Sequence, residues 1–250
     1  MKYLREFNNH SDYEDAKNSG ELFLPNVSLC NEGMGLHYNP MPTWESYVQD
    51  GLVFQLDGIN KGDSEDQTTW VDIKGNKVLT SVGTTPTLMS NCWNFNGDGY
   101  FEYNGLLSAS EDITLEICST IVGMGSIIHN GTWNNNNLFF YPLGDTVWFL
   151  QRNVGFNAAS LVGNRSKYYN KDTTISLNLD RFIIGDTIIT DKTSSTNFFS
   201  DPNKLQVGQY RGAYHSGKIY AIRVYNRKLT EEEQRYNIFV DSKRFDFSLY

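Results

Sequence analysis

Apolar and polar residues alternate through much of this chain with the two-residue period of β-strands. The run from Gly217 to Tyr225 shows it best. Ile219, Ala221, Arg223 and Tyr225 alternate with Tyr220, Ile222 and Val224, giving one mostly apolar face and one mixed face. Asn226, Arg227 and Lys228 break the alternation. Thr230 and Glu233 then have the spacing of a capping box. Glu231, Glu232 and Glu233 fill the first turn, where the helix dipole favours negative charge. The pattern predicts a helix that continues briefly over Arg235 to Phe245. Phe245 to Tyr250 would follow as a last edge strand or pack across the sandwich.

The same period predicts strands at 51–57, 113–118, 125–129, 137–142, 146–152, 173–179, 180–185, 187–190 and 204–209. Gly185-Asp186, between two pairs of isoleucines, reads as a hairpin turn. Cys92 to Tyr103 reads as a second hairpin, with Gly97 and Gly99 supplying turn conformations that other residues resist. Short strands at this spacing, with turn signals between them, predict a sandwich.

Three stretches give that sandwich a family likeness. Trp70, Asp72, Gly75 and Asn76 resemble the W-x-D-x-x-G-N turn of laminin-G-like domains. Cys92 to Tyr103 resembles the F-x-G-x-G hairpin of the same family. The closing order of strand, short turn and acidic-capped helix resembles the end of a concanavalin-A-like jelly roll. The resemblance implies an all-β, concanavalin-A-like (laminin-G-like) jelly-roll sandwich over residues 46–250, with a short C-terminal helix. It also implies a calcium site at a loop rim. The acidic stretch from Asp57 to Asp66 offers Asp57, Asp63 and Asp66 as hard oxygen donors, or is an ordinary solvated loop.

Residues 1–45 differ from the rest. A short helix is expected from Ser11, stopped by Gly20, followed by a small hairpin that ends at Pro40. A segment of this size holds no core of its own, so it must pack on the main domain, on a copy of itself or on a larger assembly. The residues from Pro25 to Cys30 and from His37 to Pro40, PNVSLC and HYNP, resemble an N-terminal module of structural proteins from tailed phages of gut Bacteroidetes, including crAss-like phages. Pro25, Val27, Leu29, His37, Tyr38 and Pro40 are the candidate assembly residues.

Composition narrows the partners. The 250 residues carry a net charge of −8, which disfavours nucleic-acid backbone and anionic membranes. Aromatic residues make up 14%, a supply suited to strands and to polar binding faces. Cys30, Cys92 and Cys118 form an odd set without CxxC spacing, so buried reduced thiols and a reducing cytoplasm are expected. No apolar run at the N-terminus reaches signal-peptide length and none elsewhere reaches transmembrane length. Lysis of a host cell after virion assembly is one route outside.

Candidate chemistry is sparse. No pair of carboxylates stands two apart on one predicted strand, as glycosidases of this fold usually have. GxSxG and P-loop patterns are absent, and the four histidines are scattered. Glu102 and Glu116 read as isolated surface acids. An enzyme is therefore not expected. Sugars are held by aromatic faces with Asn, Asp and Gln beside them. Trp133, Asn134 and Asn136, Tyr168 and Tyr169, and Tyr210 and Tyr214 supply that mixture in predicted loops. Alternatively, Trp133 covers a core edge and the asparagines only make a turn.

These readings favour a non-enzymatic phage virion protein, such as a head fibre, capsid decoration or tail component, made in the host cytoplasm. It would be a homo-oligomer bound to other virion proteins through its first 45 residues. Its lectin-like domain would touch host or mucosal glycans. The alternatives are a bacterial carbohydrate-binding module or glycoside-hydrolase relative, and a purely architectural virion subunit.

Overall fold

The computed structural model describes residues 44–60, 67–105, 113–121, 127–130, 138–143, 146–151, 155–160, 165–178, 180–189, 192–195, 204–210 and 212–247. Among them, two antiparallel sheets face each other in a jelly-roll sandwich. The first sheet runs β14 (Thr187–Ile189), β13 (Phe182–Ile184), β12 (Asp172–Leu177), β7 (Thr114–Thr120), β19 (Ser216–Tyr225), β5 (Trp93–Asn96) and β4 (Thr87–Leu88). In it β1 (Leu52–Asp57) also pairs with β19, over Ala221 to Tyr225. The second runs β15 (Lys192–Ser195), β11 (Gly155–Ser160), β10 (Thr146–Gln151), β9 (Leu138–Leu143), β8 (Ile128–Asn130), β16 (Leu205–Val207), β6 (Gly99–Tyr103), β3 (Val78–Gly83) and β2 (Thr69–Val71). A two-stranded ribbon, β17 (Gln209–Tyr210) and β18 (Ala213–Tyr214), follows β16.

The core lies between the sheets. Trp70, Trp93, Phe95 and Phe101 pack edge-on and tilted, with Trp93 and Phe101 ring centroids 4.8 Å apart. Leu115, Ile117, Ile175, Ile222 and Val224 complete the wall from the first sheet. Gly185-Asp186 is a hairpin turn, joining β13 to β14 as its flanking isoleucines predict.

Gly97 and Asp98 do something different from the expected hairpin. β5 pairs with β19 and β4 in the first sheet, whereas β6 pairs with β3 and β16 in the second. The turn is thus an arch that carries the chain from one sheet to the other. Gly97 has φ +90, a value that other residues adopt only under strain. A Cβ on Gly99 would sit 1.6 Å from the Thr84 carbonyl oxygen, so the backbone approach there requires glycine.

The larger departure concerns the far side of the first sheet. Strands β7 and β19 are buried on both faces over most of their length, not on one. A helix, α2 (Glu231–Arg244), is laid across the second face; it follows the four-residue α1 (Arg165–Tyr168) in chain order. It begins with the predicted capping box: Glu233 N donates to Thr230 Oγ1 at 3.2 Å, and Thr230 N donates to Glu233 Oε2 at 2.8 Å. Arg227 then grips Glu233 through two bonds of 2.8 and 2.7 Å, tying the turn after β19 to the helix start.

Under the helix lies a dry ionic layer. Arg223, on the mixed face of β19, donates from Nε to Glu116 of β7 at 2.9 Å and from both terminal nitrogens to Asp241 of α2 at 2.8 and 2.6 Å. Arg244 holds Asp57 through both terminal nitrogens. Tyr47 sits between the two arginines: its ring lies 3.9 Å from the Arg223 guanidinium and its hydroxyl donates to Asp241. Thr174, Ser176, Gln234 and Asn237 satisfy the remaining lone pairs. Glu116 is therefore not a surface acid. Burial pushes its carboxyl above the usual carboxylate range in spite of Arg223.

The C-terminal stretch forms no edge strand within the described residues. Phe245 caps α2, and Phe245 and Phe247 pack on Tyr220 with ring centroids 5.2 and 6.4 Å away. Cys92 and Cys118 are buried and unlinked. They flank β19 from opposite sides, which separates their backbones by about two strand spacings, roughly 9–10 Å, beyond disulfide reach. Burial lifts the Cys92 thiol to about 11.

Two predictions follow from this packing. Replacing Asp241 with Leu leaves Arg223 buried without its main partner. Urea unfolding should show a loss of about 3–5 kcal/mol, against about 1 kcal/mol for Thr230→Ala at the cap. His215 is fully buried beside Phe95, and that burial lowers its pKa from 6.5 to about 4. The unfolded chain takes up the proton first, so stability is intact above the unfolded value and falls as pH drops from 6.5 toward 4. Unfolding at pH 5 should show about 2 kcal/mol less stability than at pH 7 from this residue, and His215→Asn should lack that share of the slope.

Candidate functional site

The sandwich has one large sheet face not covered by α2, the outer side of the second sheet. Strand β6, third from the β2 edge of that sheet, carries the candidate site. Phe101 enters the core, so the pleat turns Tyr100 and Glu102 outward. Register then lines up neighbours on the same face. Glu102 pairs with Thr80 on β3 and with Gln206 on β16; Gln206 pairs in turn with His129 on β8. Tyr100 pairs with Val82, which is 37% exposed.

A chain of side-chain hydrogen bonds runs along this face. Gln209 Nε2 donates to Gln206 Oε1 at 3.0 Å, and Gln206 Nε2 donates to Glu102 Oε2 at 2.8 Å. Lys204 Nζ donates to Glu102 Oε1 at 2.6 Å. The Tyr100 phenol is electrostatically coupled to Glu102 and Gln209. The Gly212 amide donates to Gln209 Oε1, which fixes the far end on the β17–β18 ribbon. That ribbon brings Tyr214 to Tyr100, with ring centroids 6.2 Å apart.

The electrostatics keep Glu102 an acceptor. Partial burial would raise its carboxyl, but the hydrogen bonds from Lys204 and Gln206 outweigh that and leave it below the usual range. Burial, with Glu102 next, raises the Tyr100 phenol, so this hydroxyl remains protonated and able to donate. The face thus presents two half-buried aromatic rings, an ionised carboxylate and the Gln209 amide, with Gln206 buried beneath them as the link that orients Glu102.

The sequence-derived candidates meet this site only in part. Tyr214 belongs to it, half-buried beside Tyr100. Tyr210 ends β17 on the same ribbon. Tyr168 does not belong: it closes α1 with its ring fully buried in the core, so it offers no surface to a sugar. Tyr169 follows it, half-buried. Asp57 is likewise no rim ligand. Its carboxylate is buried, holds Arg244 and accepts the amides of Ile59 and Asn60. Trp133, Asn134 and Asn136, the calcium candidates Asp63 and Asp66, and the assembly residues Pro25, Val27, Leu29, His37, Tyr38 and Pro40 all lie outside the described residues.

Solved structures share the architecture. A Trypanosoma rangeli sialidase in complex with sialic acid matches 92% of this chain at a TM-score of 0.51 and 15% identity. The binding domain of botulinum neurotoxin DC in complex with SialylT matches 78% at 0.52 and 13% identity. The same domain in complex with rat synaptotagmin II matches 77% at 0.52 and 13% identity. These likenesses establish the fold. The present chain spans 37% of the sialidase and 52% of the neurotoxin chain. No protein-family model matches the sequence, and no curated protein matches it.

The hydrogen bond from Lys204 is testable by itself. Lys204→Met should move the Glu102 carboxyl titration upward, toward the ordinary glutamate range, in carbon-detected NMR. An unmoved titration would mean that Lys204 does not hold the carboxylate.

Proposed function

We propose that this chain is a non-enzymatic virion subunit of a tailed phage, with a laminin-G-like jelly roll displayed outward to hold host or mucosal glycans. The observation that carries the sugar-binding part is the Tyr100–Tyr214 pair beside Glu102, Gln206 and Gln209. Aromatic faces take the apolar side of a sugar ring, while carboxylate and amide groups take its hydroxyls. Complexes with sialic acid and with SialylT, formed by proteins of this fold, support the reading.

What supports binding without bond-making is the state of Glu102. It is held ionised, and its cross-strand neighbours are Thr80 and Gln206 instead of a second carboxylate. The virion placement draws on the resemblance of residues 25–40 to phage structural modules. Those first 45 residues would join copies into a dimer or trimer and fix them to other virion proteins. Weak contacts at each site would then add up across many copies.

A glycan array probed with the multimerised full chain, with and without added calcium, tests the sugar reading. Binding is expected, and Tyr100→Ala or Tyr214→Ala should weaken it by about tenfold, equivalent to about 1.4 kcal/mol. Silence at high valency in both conditions would leave an architectural subunit. Mass spectrometry of purified particles tests the virion placement, which fails if the protein is absent from them.

A further inference from the structure

We infer that the Tyr100–Glu102 face takes neutral sugars and rejects sialylated ones, in contrast to the sialic-acid complexes formed by proteins of similar fold. This inference rests on the sugar-binding reading and adds the class of ligand. Three features of the face support it.

The first is the sign of the fixed charge. Glu102 is the carboxylate at the centre, and it is held below the usual carboxylate range, so it remains an anion at neutral pH. Asp98, exposed on the arch two residues before Tyr100, adds a second negative group. The whole chain carries a net charge of −8, the same sign as these two groups.

The second is the state of the only cation described beside Glu102. Lys204 Nζ is bound to Glu102 Oε1 at 2.6 Å. A ligand carboxylate that captured this lysine would strip Glu102 of its main counter-charge and leave two anions facing each other. Like charges brought together this way are penalised, and the penalty grows as the site is dried by the ligand.

The third is the direction of the hydrogen-bond chain. Gln209 donates to Gln206, and Gln206 donates to Glu102. Gln206 and Lys204 each direct one donor onto Glu102, whose two oxygens have about four acceptor positions in all. What such a carboxylate can still take is a donor, and sugar hydroxyls are donors. The carboxylate of a sialic acid is an acceptor only, and among the described residues the donors nearest to Glu102, on Lys204 and Gln206, are already engaged with it. Tyr100 and Tyr214 stack on the apolar side of a ring without regard to its charge.

The test uses the full chain and an array of matched glycan pairs, each a neutral oligosaccharide and its sialylated twin. Neutral members are expected to bind at least about tenfold more tightly, a difference of about 1.4 kcal/mol. Equal or tighter binding of the sialylated twins overturns this inference and leaves sugar binding in place. Absence of binding to every pair overturns both. Two further readouts tie the preference to charge. Glu102→Gln, checked for an unchanged thermal midpoint, keeps the oxygen acceptor, removes the anion and frees Lys204. It should bring the ratio within a pair close to one, and an unchanged ratio overturns the assignment to Glu102. Raising the salt from about 0.01 M to 1 M shortens the screening length from about 30 to 3 Å and should narrow the preference in the unmodified protein. A preference that salt leaves untouched would arise from shape and would overturn the electrostatic account even if the variant failed to fold.

Discussion

The two-pronged contact between Arg223 and Asp241 holds the architecture together on its helical side. It joins the central strand of the first sheet to α2 where water does not reach. Charges in such a place are costly unless every one is paired and hydrogen-bonded. Here they are: Glu116 takes the remaining Arg223 nitrogen, Asp57 neutralises Arg244, and Thr174, Ser176 and Asn237 fill the vacant lone pairs. The arrangement also selects one seating of the helix. A slip by one turn moves each side chain about 5.4 Å along the axis and would leave Asp241 and Arg223 buried apart. An apolar layer of the same volume tolerates such a slip far more easily.

How much of this the sequence discloses depends on how far apart the partners lie in the chain. The capping box of α2 is legible because Thr230 and Glu233 are three residues apart. The hairpin at Gly185-Asp186 is legible for the same reason. The second burial of β7 is not. Thr114, Glu116 and Cys118 alternate with isoleucine and leucine and look like a solvent face, because the helix that covers them comes more than a hundred residues later. Arg223 misleads in the same way. A Gly-Asp-Gly turn likewise shows where the chain reverses but not which sheet receives it, so the arch at Gly97 reads as a hairpin until strand pairing is known.

The outward face of β6 follows the same logic. Tyr100 and Glu102 alternate with Phe101, which is enough to place an aromatic and an acid side by side on one face. Glu102 nevertheless looks isolated in the sequence. Lys204, Gln206 and Gln209, the groups that orient it, arrive on a strand about a hundred residues later. Tyr214 was visible as an aromatic in a polar loop, yet only the β17–β18 ribbon shows that its ring meets Tyr100. Tyr168 had similar surroundings in sequence and went into the core. Aromatic content in a turn-rich segment does not distinguish a binding ring from a core ring; the register of the nearest strand does.

Tyr47 gives the domain a direction. The ring is clamped under α2, and Trp44–Ser46 lead into it from that side, with Ser46 accepting from the Tyr236 hydroxyl. The chain therefore enters on the helix-covered side of the first sheet. Tyr100 and Glu102 point away from the opposite side of the second sheet, about 20 Å of protein farther on, counting one helix layer and one sheet-to-sheet spacing. Trp44 and the paired tyrosines thus stand at opposite sides of the sandwich, so the two ends of that axis present different chemistry: an ionic layer under a helix at one, aromatic rings beside a carboxylate at the other.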